Sequence, residues 1–230
     1  MKSHILATVN PTRFDVIKLI WRPAPHTSRY VVGTLLRQGD GYSFRYDGPD
    51  VEKARIEGFR GYPGMTDLEK DYNGQAMIAF ASRLPSRERP DLNHLLRGWG
   101  AEPSQDNFQI LGLTFGRLPT DMYEFIPEIK AIPGTRFYSD LAGIQNYKHS
   151  EAFRELLTGA ELELKMNPDN VHDCHAVEVY HGGHQVGHLK RVHCESVCAA
   201  LAGGLAISCR LVRVRLNGVI QEVVVEIAYS

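Results

Sequence analysis

The residues best equipped for chemistry fall in a polar loop and in the basic segment that follows it. Asn170, His172, Asp173 and His175 come just after Pro168, and His188, Lys190 and Arg191 close the run Gln185-Val186-Gly187-His188-Leu189-Lys190-Arg191. Asn170 can donate and accept at once, as reading a base edge or a terminal hydroxyl requires. An Asn after a Pro equally closes a turn with its own side chain. His172 can stack on a base or hydrogen-bond a phosphate. Asp173 suits a hydroxyl better than a phosphate, because like charges repel in a partly desolvated pocket. It can equally cap the loop by accepting backbone N–H groups. Lys190, one residue from Arg191, falls on the other side of an extended chain and can simply face solvent.

Other chemistries have weaker support. His172, Cys174, His175, His181, His184, His188, His193, Cys194 and Cys198 hold enough donors for zinc, and the Cys194-x3-Cys198 spacing puts two thiols on one helix face. The same spacing describes core cysteines, which behave as small hydrophobes. No Cys-x2-Cys pair occurs and the other donors lie on opposite strand parities, so neither a metal nor a cofactor is expected. Cys194 beside His193 at a helix start invites a nucleophile reading. Neighbours on a helix point about 100° apart, so sequence proximity does not align them. No catalytic residue is assigned.

Alternation within Glu161 to Met166 predicts a strand with Leu162, Leu164 and Met166 inward, stopped by Asn167-Pro168-Asp169-Asn170. Val177 and Val179 resume the extension, Gly182-Gly183 supplies a turn, and Gln185 to Leu189 returns. Phe153, Leu156 and Leu157 mark a helix or long turn over 150–158, and Cys194, Val197, Cys198 and Leu201 share one helical face before Gly203-Gly204. Asn217-Gly218 joins a closing hairpin from Leu205 to Tyr229.

The arrangement of Pro168, Asn170, Asp173 and Ala176, then Val179 and the Gln185–Arg191 run, resembles the HIRAN domain over about residues 137–229. That family occurs in fork-remodelling helicase-like proteins and as stand-alone bacterial proteins. The resemblance implies an OB-like antiparallel β-barrel with helices that holds the 3′-hydroxyl end of single-stranded DNA. It further implies that Asn170 contacts the terminal nucleotide, that Asp173 accepts from the 3′-hydroxyl, and that His188 and Arg191 meet phosphate. His172 stands where the family usually has Tyr. Leu141 to Tyr147 resembles the first family strand, with Gln145 in place of a basic residue, Asn146 in an aromatic pair, and Tyr147 keeping its ring. Losing one stacking platform, worth about 1–3 kcal/mol, together with one charge would weaken such a site or retire it. The candidate nucleic-acid-binding set is therefore Tyr147, Asn170, His172, Asp173, His188, Arg191, Lys190, Gln145 and Asn146.

The amino-terminal part reads as a mixed domain over 1–133, followed by the barrel domain over 137–230, an α+β chain overall. Strands are predicted over 12–21, 29–37 and 42–46, the last two joined through Gly39-Asp40-Gly41. Short helices are predicted over 51–56, 67–72, 75–84, after Pro90-Asp91, and from Ser104. The motifs Tyr62-Pro63-Gly64, Arg89-Pro90-Asp91, Asn107 to Leu111, Gly116-Arg117-Leu118 and Thr120 to Pro127 resemble the accessory region of HipA-type toxin kinases. This implies a regulatory or partner-contacting role. The sequence contains no Walker loop, glycine-rich kinase loop, HRD or DFG segment, so phosphoryl transfer has neither phosphate cradle nor metal carboxylate.

Charge narrows the function further. Residues 1–136 carry 18 basic and 16 acidic side chains, against 8 and 11 in 137–230, a net charge of -1 overall. A mildly acidic carboxyl-terminal half argues against a duplex binder, which draws most of its affinity from neutralised phosphates. No apolar run of about 18 residues spans a membrane, and no signal peptide is present, so a cytoplasmic protein whose cysteines are thiols is expected. The leading expectation is a non-enzymatic protein that binds single-stranded DNA with a free 3′-hydroxyl end, with a protein partner for the amino-terminal domain. The alternative is a protein-interaction or regulatory factor, associated with toxin or phage-defence systems, that has lost strong DNA binding. A hydrolase or zinc-binding protein is a minor third reading.

Overall fold

The computed structural model describes residues 13–25, 27–147, 153, 156, 158–171, 173–217 and 219–230. The side chains of residues 216, 217 and 219–221 are outside that description. The chain divides into two units, Met1–Glu128 and Ile129–Ser230. Each is built on an antiparallel sheet, giving a mixed α+β protein with few helices. No helix among the described residues is long and apolar enough to cross a membrane.

The first unit holds β1 (Val16–Trp21), β2 (Tyr30–Gln38), β3 (Gly41–Arg45), α1 (Val51–Ile56), β4 (Tyr72–Asn73), α2 (Ala76–Ala79), α3 (Leu92–Arg97), α4 (Asn107–Leu113) and β5 (Tyr123–Pro127). Its sheet runs β4-β3-β2-β1-β5. Ile17, Leu19, Leu35, Phe44, Phe80, Phe108 and Phe125 are fully buried, so short strands gain their stability from an aromatic-rich core. Two expectations change here. Residues 67–70 form turns leading into β4 instead of a helix, and α4 starts at Asp106 instead of Ser104. Asp106 accepts from the Gln109 N–H at 2.9 Å, a side-chain cap that Ser104 does not supply to this helix.

The second unit holds β6 (Arg136–Asp140), β7 (Glu161–Met166), β8 (Val177–His181), β9 (His184–His188), α5 (Arg191–Ala202), β10 (Ile207–Asn217) and β11 (Val219–Tyr229). The order β6-β11-β10-β7-β8-β9 curls the sheet until the end of β9 reaches the chain just past β6. Ala142 and His188 bridge there, each N–H donating to the other's carbonyl at 2.8 and 3.0 Å. Gly187 makes the closure possible, since a Cβ at that position would lie 3.1 Å from the Ala142 oxygen. Val177, Val179, Val186, Leu211 and Val223 to Val225 are buried.

The β8–β9 turn uses Gly182 and Gly183 at φ of 56° and 81°, the left-handed pair a two-residue hairpin needs. Strands β10 and β11 pair as far as Asn217 and Val219, and Gly218 lies outside the described residues. Phe153 and Leu156 are buried, while Leu157 also falls outside the described residues. Helix α5 buries His193, Cys194, Val197 and Ala200.

The stretch Leu141 to Tyr147 is not a strand. The first strand is Arg136–Asp140, after which Gly143, at φ 70°, breaks the extension and a 3-10 turn forms over Ile144–Asn146. Met166 is half exposed, because β7 runs past the strand β10 that covers Leu162.

Candidate functional site

The polar loop between β7 and β8 folds on its own hydrogen bonds. The Asn167 N–H donates to the Ala176 carbonyl at 2.8 Å, closing the loop at its base. Inside it the Asp173 N–H donates to Asn170 Oδ1 at 3.3 Å, and the His175 N–H to Asp173 Oδ1 at 2.9 Å. Asn170 and Asp173 thus both close turns, which leaves their side chains oriented before any ligand arrives. Asp173 Oδ2 faces Arg191 Nε, the first residue of α5, at 3.8 Å. Arg191 is 52% exposed and Asp173 17%. A rim pair of this kind contributes about 0–1 kcal/mol.

A second cluster lies on the outer face of β8 and β9. The Tyr147 and His188 rings are 6.1 Å apart, and His188 Nε2 is 3.1 Å from Gln185 Nε2. Glu178 stands opposite His188 in the register. It accepts from the Asn167 amide and from the Tyr180 hydroxyl, both at 2.8 Å. Through Asn167 and Glu178 this cluster is therefore joined to the base of the polar loop.

Electrostatics set what these groups carry at neutral pH. Burial pushes the His188 imidazole below its ordinary value, against the pull of Glu178, so the ring is mainly neutral. Burial, with Glu178 adding, raises the Tyr147 phenol. His188 can stack or accept, but it supplies little charge for a phosphate.

Lys190 does not belong to the exposed set. It is 2% exposed, and its Nζ sits 2.5 Å from Asp140 Oδ1, a carboxylate of β6 that is itself buried. The strand ends at His188, so Lys190 takes the extended position before α5 and turns inward instead of alternating outward. Gln145 is half-buried and Asn146 exposed on the 3-10 turn leading to Tyr147. His172 lies outside the described residues.

Sequence reasoning missed Glu178. Its parity with Tyr180 was visible, but its partner depends on a bulge. Tyr180 pairs with Gln185 and Val179 with Gly187, leaving Val186 as the extra residue. That insertion swings His188 to the same side as Gln185 and opposite Glu178.

Residues 132–224 match the HIRAN domain family. The matched residues run from before β6 into β11 and include the polar loop, the Tyr147 turn and α5. Among solved structures, the HIRAN domain of human HLTF is similar at 18% identity and a TM-score of 0.33, over 40% of this chain and 74% of that one. A protein from Lactobacillus plantarum is similar at 14% identity and a TM-score of 0.33, over 40% of this chain and 91% of that one. No curated protein matches the chain.

Cys194, four residues along from Lys190, is not an activated thiol. Burial pushes Cys194 up to about 12, and its Sγ donates to the Lys190 carbonyl at 3.4 Å, the behaviour of a core cysteine.

Proposed function

We propose that the HIRAN region binds the 3′-hydroxyl end of single-stranded DNA. The reading is carried by one observation: Asp173 and Arg191, from the polar loop and from the start of α5, stand 3.8 Å apart at the surface. A carboxylate that accepts from a terminal hydroxyl and a guanidinium that meets the adjoining phosphate need that closeness. Tyr147 and His188 stack against the terminal base, and Asn170 hydrogen-bonds the same nucleoside. His172, next to Asp173 in sequence, belongs to this proposed set. Gln145 and Asn146 contribute at most polar contacts. Lys190 is withdrawn, since a buried ion pair occupies it. The amino-terminal unit, with its resemblance to HipA accessory regions, contacts a protein partner, for which the exposed Ile56 and Ile78 are candidate anchors.

Circular and linear single strands of one sequence test the reading by fluorescence anisotropy. Linear DNA binds with micromolar affinity and circular DNA about ten-fold or more weaker, the loss expected when an interaction of about 1.4 kcal/mol or more at the terminus is removed. Equal binding of the two forms refutes end recognition.

A second reading is favoured by Glu178, a carboxylate set beside Tyr147 and His188. An acidic group there opposes a phosphate backbone and suits a protein partner with a basic side chain. Recovery of one stoichiometric protein partner, by a chain inert to every DNA end, selects this reading.

A further inference from the structure

The loop that carries Asp173 continues into Cys174 and His175, and three different donor atoms meet there. An Asp173 carboxylate oxygen, Cys174 Sγ and His175 Nδ1 all lie within 4.8 Å of one another. The sulfur and the imidazole nitrogen are 3.8 Å apart, and His175 Nδ1 is 3.9 Å from Asp173 Oδ1. An ion held at about 2.3 Å by a thiolate and about 2.1 Å by an imidazole, in tetrahedral geometry, separates those two atoms by about 3.6 Å. The observed pair is near the liganding separation before any metal arrives. The loop's hydrogen bonds hold it there, because the His175 N–H donates to Asp173 and the Ala176 N–H donates to the Asp173 carbonyl at 2.9 Å each.

A second cysteine approaches the same loop from α5. Cys198 Sγ donates to the backbone oxygen of His175 at 3.4 Å, which brings a second sulfur against the same loop residue. Cys198 lies one helical turn beyond Cys194, yet the two differ in exposure: Cys194 is buried in the core, and Cys198 is half-exposed toward the loop.

We propose that Asp173, Cys174, His175 and Cys198 bind a Zn²⁺ ion that clamps the polar loop to α5. The donor set of two thiolates, an imidazole and a carboxylate selects zinc over the hard cations Mg²⁺ and Ca²⁺, which take oxygen ligands. The spacing singled out in the sequence, Cys194-x3-Cys198, is not the site, since Cys194 faces the core. The site arises from the loop's own Asp-Cys-His run meeting a single helix cysteine. Metal binding is measured without DNA, so it stands or falls separately from end recognition.

The test uses the whole chain, purified reduced and metal-free, and titrated with Zn²⁺ against a chromophoric chelator and with Co²⁺ by absorption. A single Zn²⁺ per chain is expected, and Co²⁺ shows sulfur-to-cobalt charge transfer in the near ultraviolet. Cys174→Ser weakens binding by about 100-fold or more, above the loss of a supporting hydrogen bond. Cys198→Ser lowers the charge-transfer intensity by about half, one of two proposed thiolates. Circular dichroism of each metal-free variant checks that it remains folded. A folded wild-type chain that gives no sulfur-to-cobalt absorption overturns the proposal. Zn²⁺ affinity unchanged in Cys174→Ser overturns it as well.

Discussion

Replacing Lys190 by Met separates two roles that the sequence alone left open. Lys190 Nζ is 2.5 Å from Asp140 Oδ1, and the two side chains are 2% and 7% exposed. Met keeps most of the apolar stem and removes the ammonium, leaving the Asp140 carboxylate in the interior without its main counter-charge. Breaking one partner of a buried pair costs about 3–5 kcal/mol. In a unit of roughly 100 residues that lowers the melting midpoint by about 12 °C or more. Urea unfolding gives the magnitude, and hydrogen exchange at the β6 and α5 amides assigns it to this unit. Lys190→Met with Asp140→Leu recovers most of the loss, because apolar replacement of a whole buried pair is often neutral or stabilising. If Lys190→Met changes stability by less than about 0.5 kcal/mol yet weakens DNA binding, Lys190 is a phosphate contact and the burial argument is wrong.

His193 gives an acid-sensitivity prediction. Burial, reinforced by the Lys190 ammonium and opposed by Asp140, holds its imidazole at about 3 against an ordinary 6.5. As pH falls below 6.5 the unfolded chain takes up this proton first, so stability present above that pH drains away toward 3, by about 1.4 kcal/mol per pH unit. His193→Leu removes that slope in pH-dependent unfolding, and at pH 7 it is neutral or stabilising. Both ring nitrogens are buried without a hydrogen-bond partner among the described residues, so the substitution removes polar atoms that gain nothing there. If Arg191 is the main phosphate contact, as proposed, with Lys190 buried and His188 neutral, log affinity falls with log salt at a slope of about -0.7, and Arg191→Ala takes it toward zero. Saturating Zn²⁺ weakens binding of the 3′ end, because the metal engages the same Asp173 carboxylate, and reduced chain with chelator restores it.

The hairpin β8–β9 could be drawn from the sequence because Gly182-Gly183 allows few alternatives and Val177 and Val179 mark the inward side. The polar loop was equally plain, since Pro168 stops the ladder and Asn170 and Asp173 are turn-forming types. What eluded the sequence lay in single-residue geometry. A bulge at Val186 decides whether His188 meets Glu178, and composition carries no mark of it. Lys190 was assigned by strand alternation, but the strand stops two residues before it, and a partner on β6, far away in sequence, draws it inward. Leu141 to Tyr147 resembled the first family strand, yet its backbone groups are used by an isolated bridge at Ala142 and then by the 3-10 turn. Cys174, His175 and Cys198 stood among the possible zinc donors in the sequence, but that Asp173, Cys174 and His175 converge, with Cys198 against the same loop, depends on how the loop folds.

The Asp173 loop and the start of α5 are proposed above as a receptor for a hydroxyl terminus. The most direct measurement compares one oligonucleotide ending in 3′-hydroxyl or 3′-phosphate, titrated against wild type and Asp173→Asn. The wild type prefers the hydroxyl end by about ten-fold or more, corresponding to about 1.4 kcal/mol or more, and Asp173→Asn loses most of that preference. Equal affinity of the wild type for the two ends contradicts the claim.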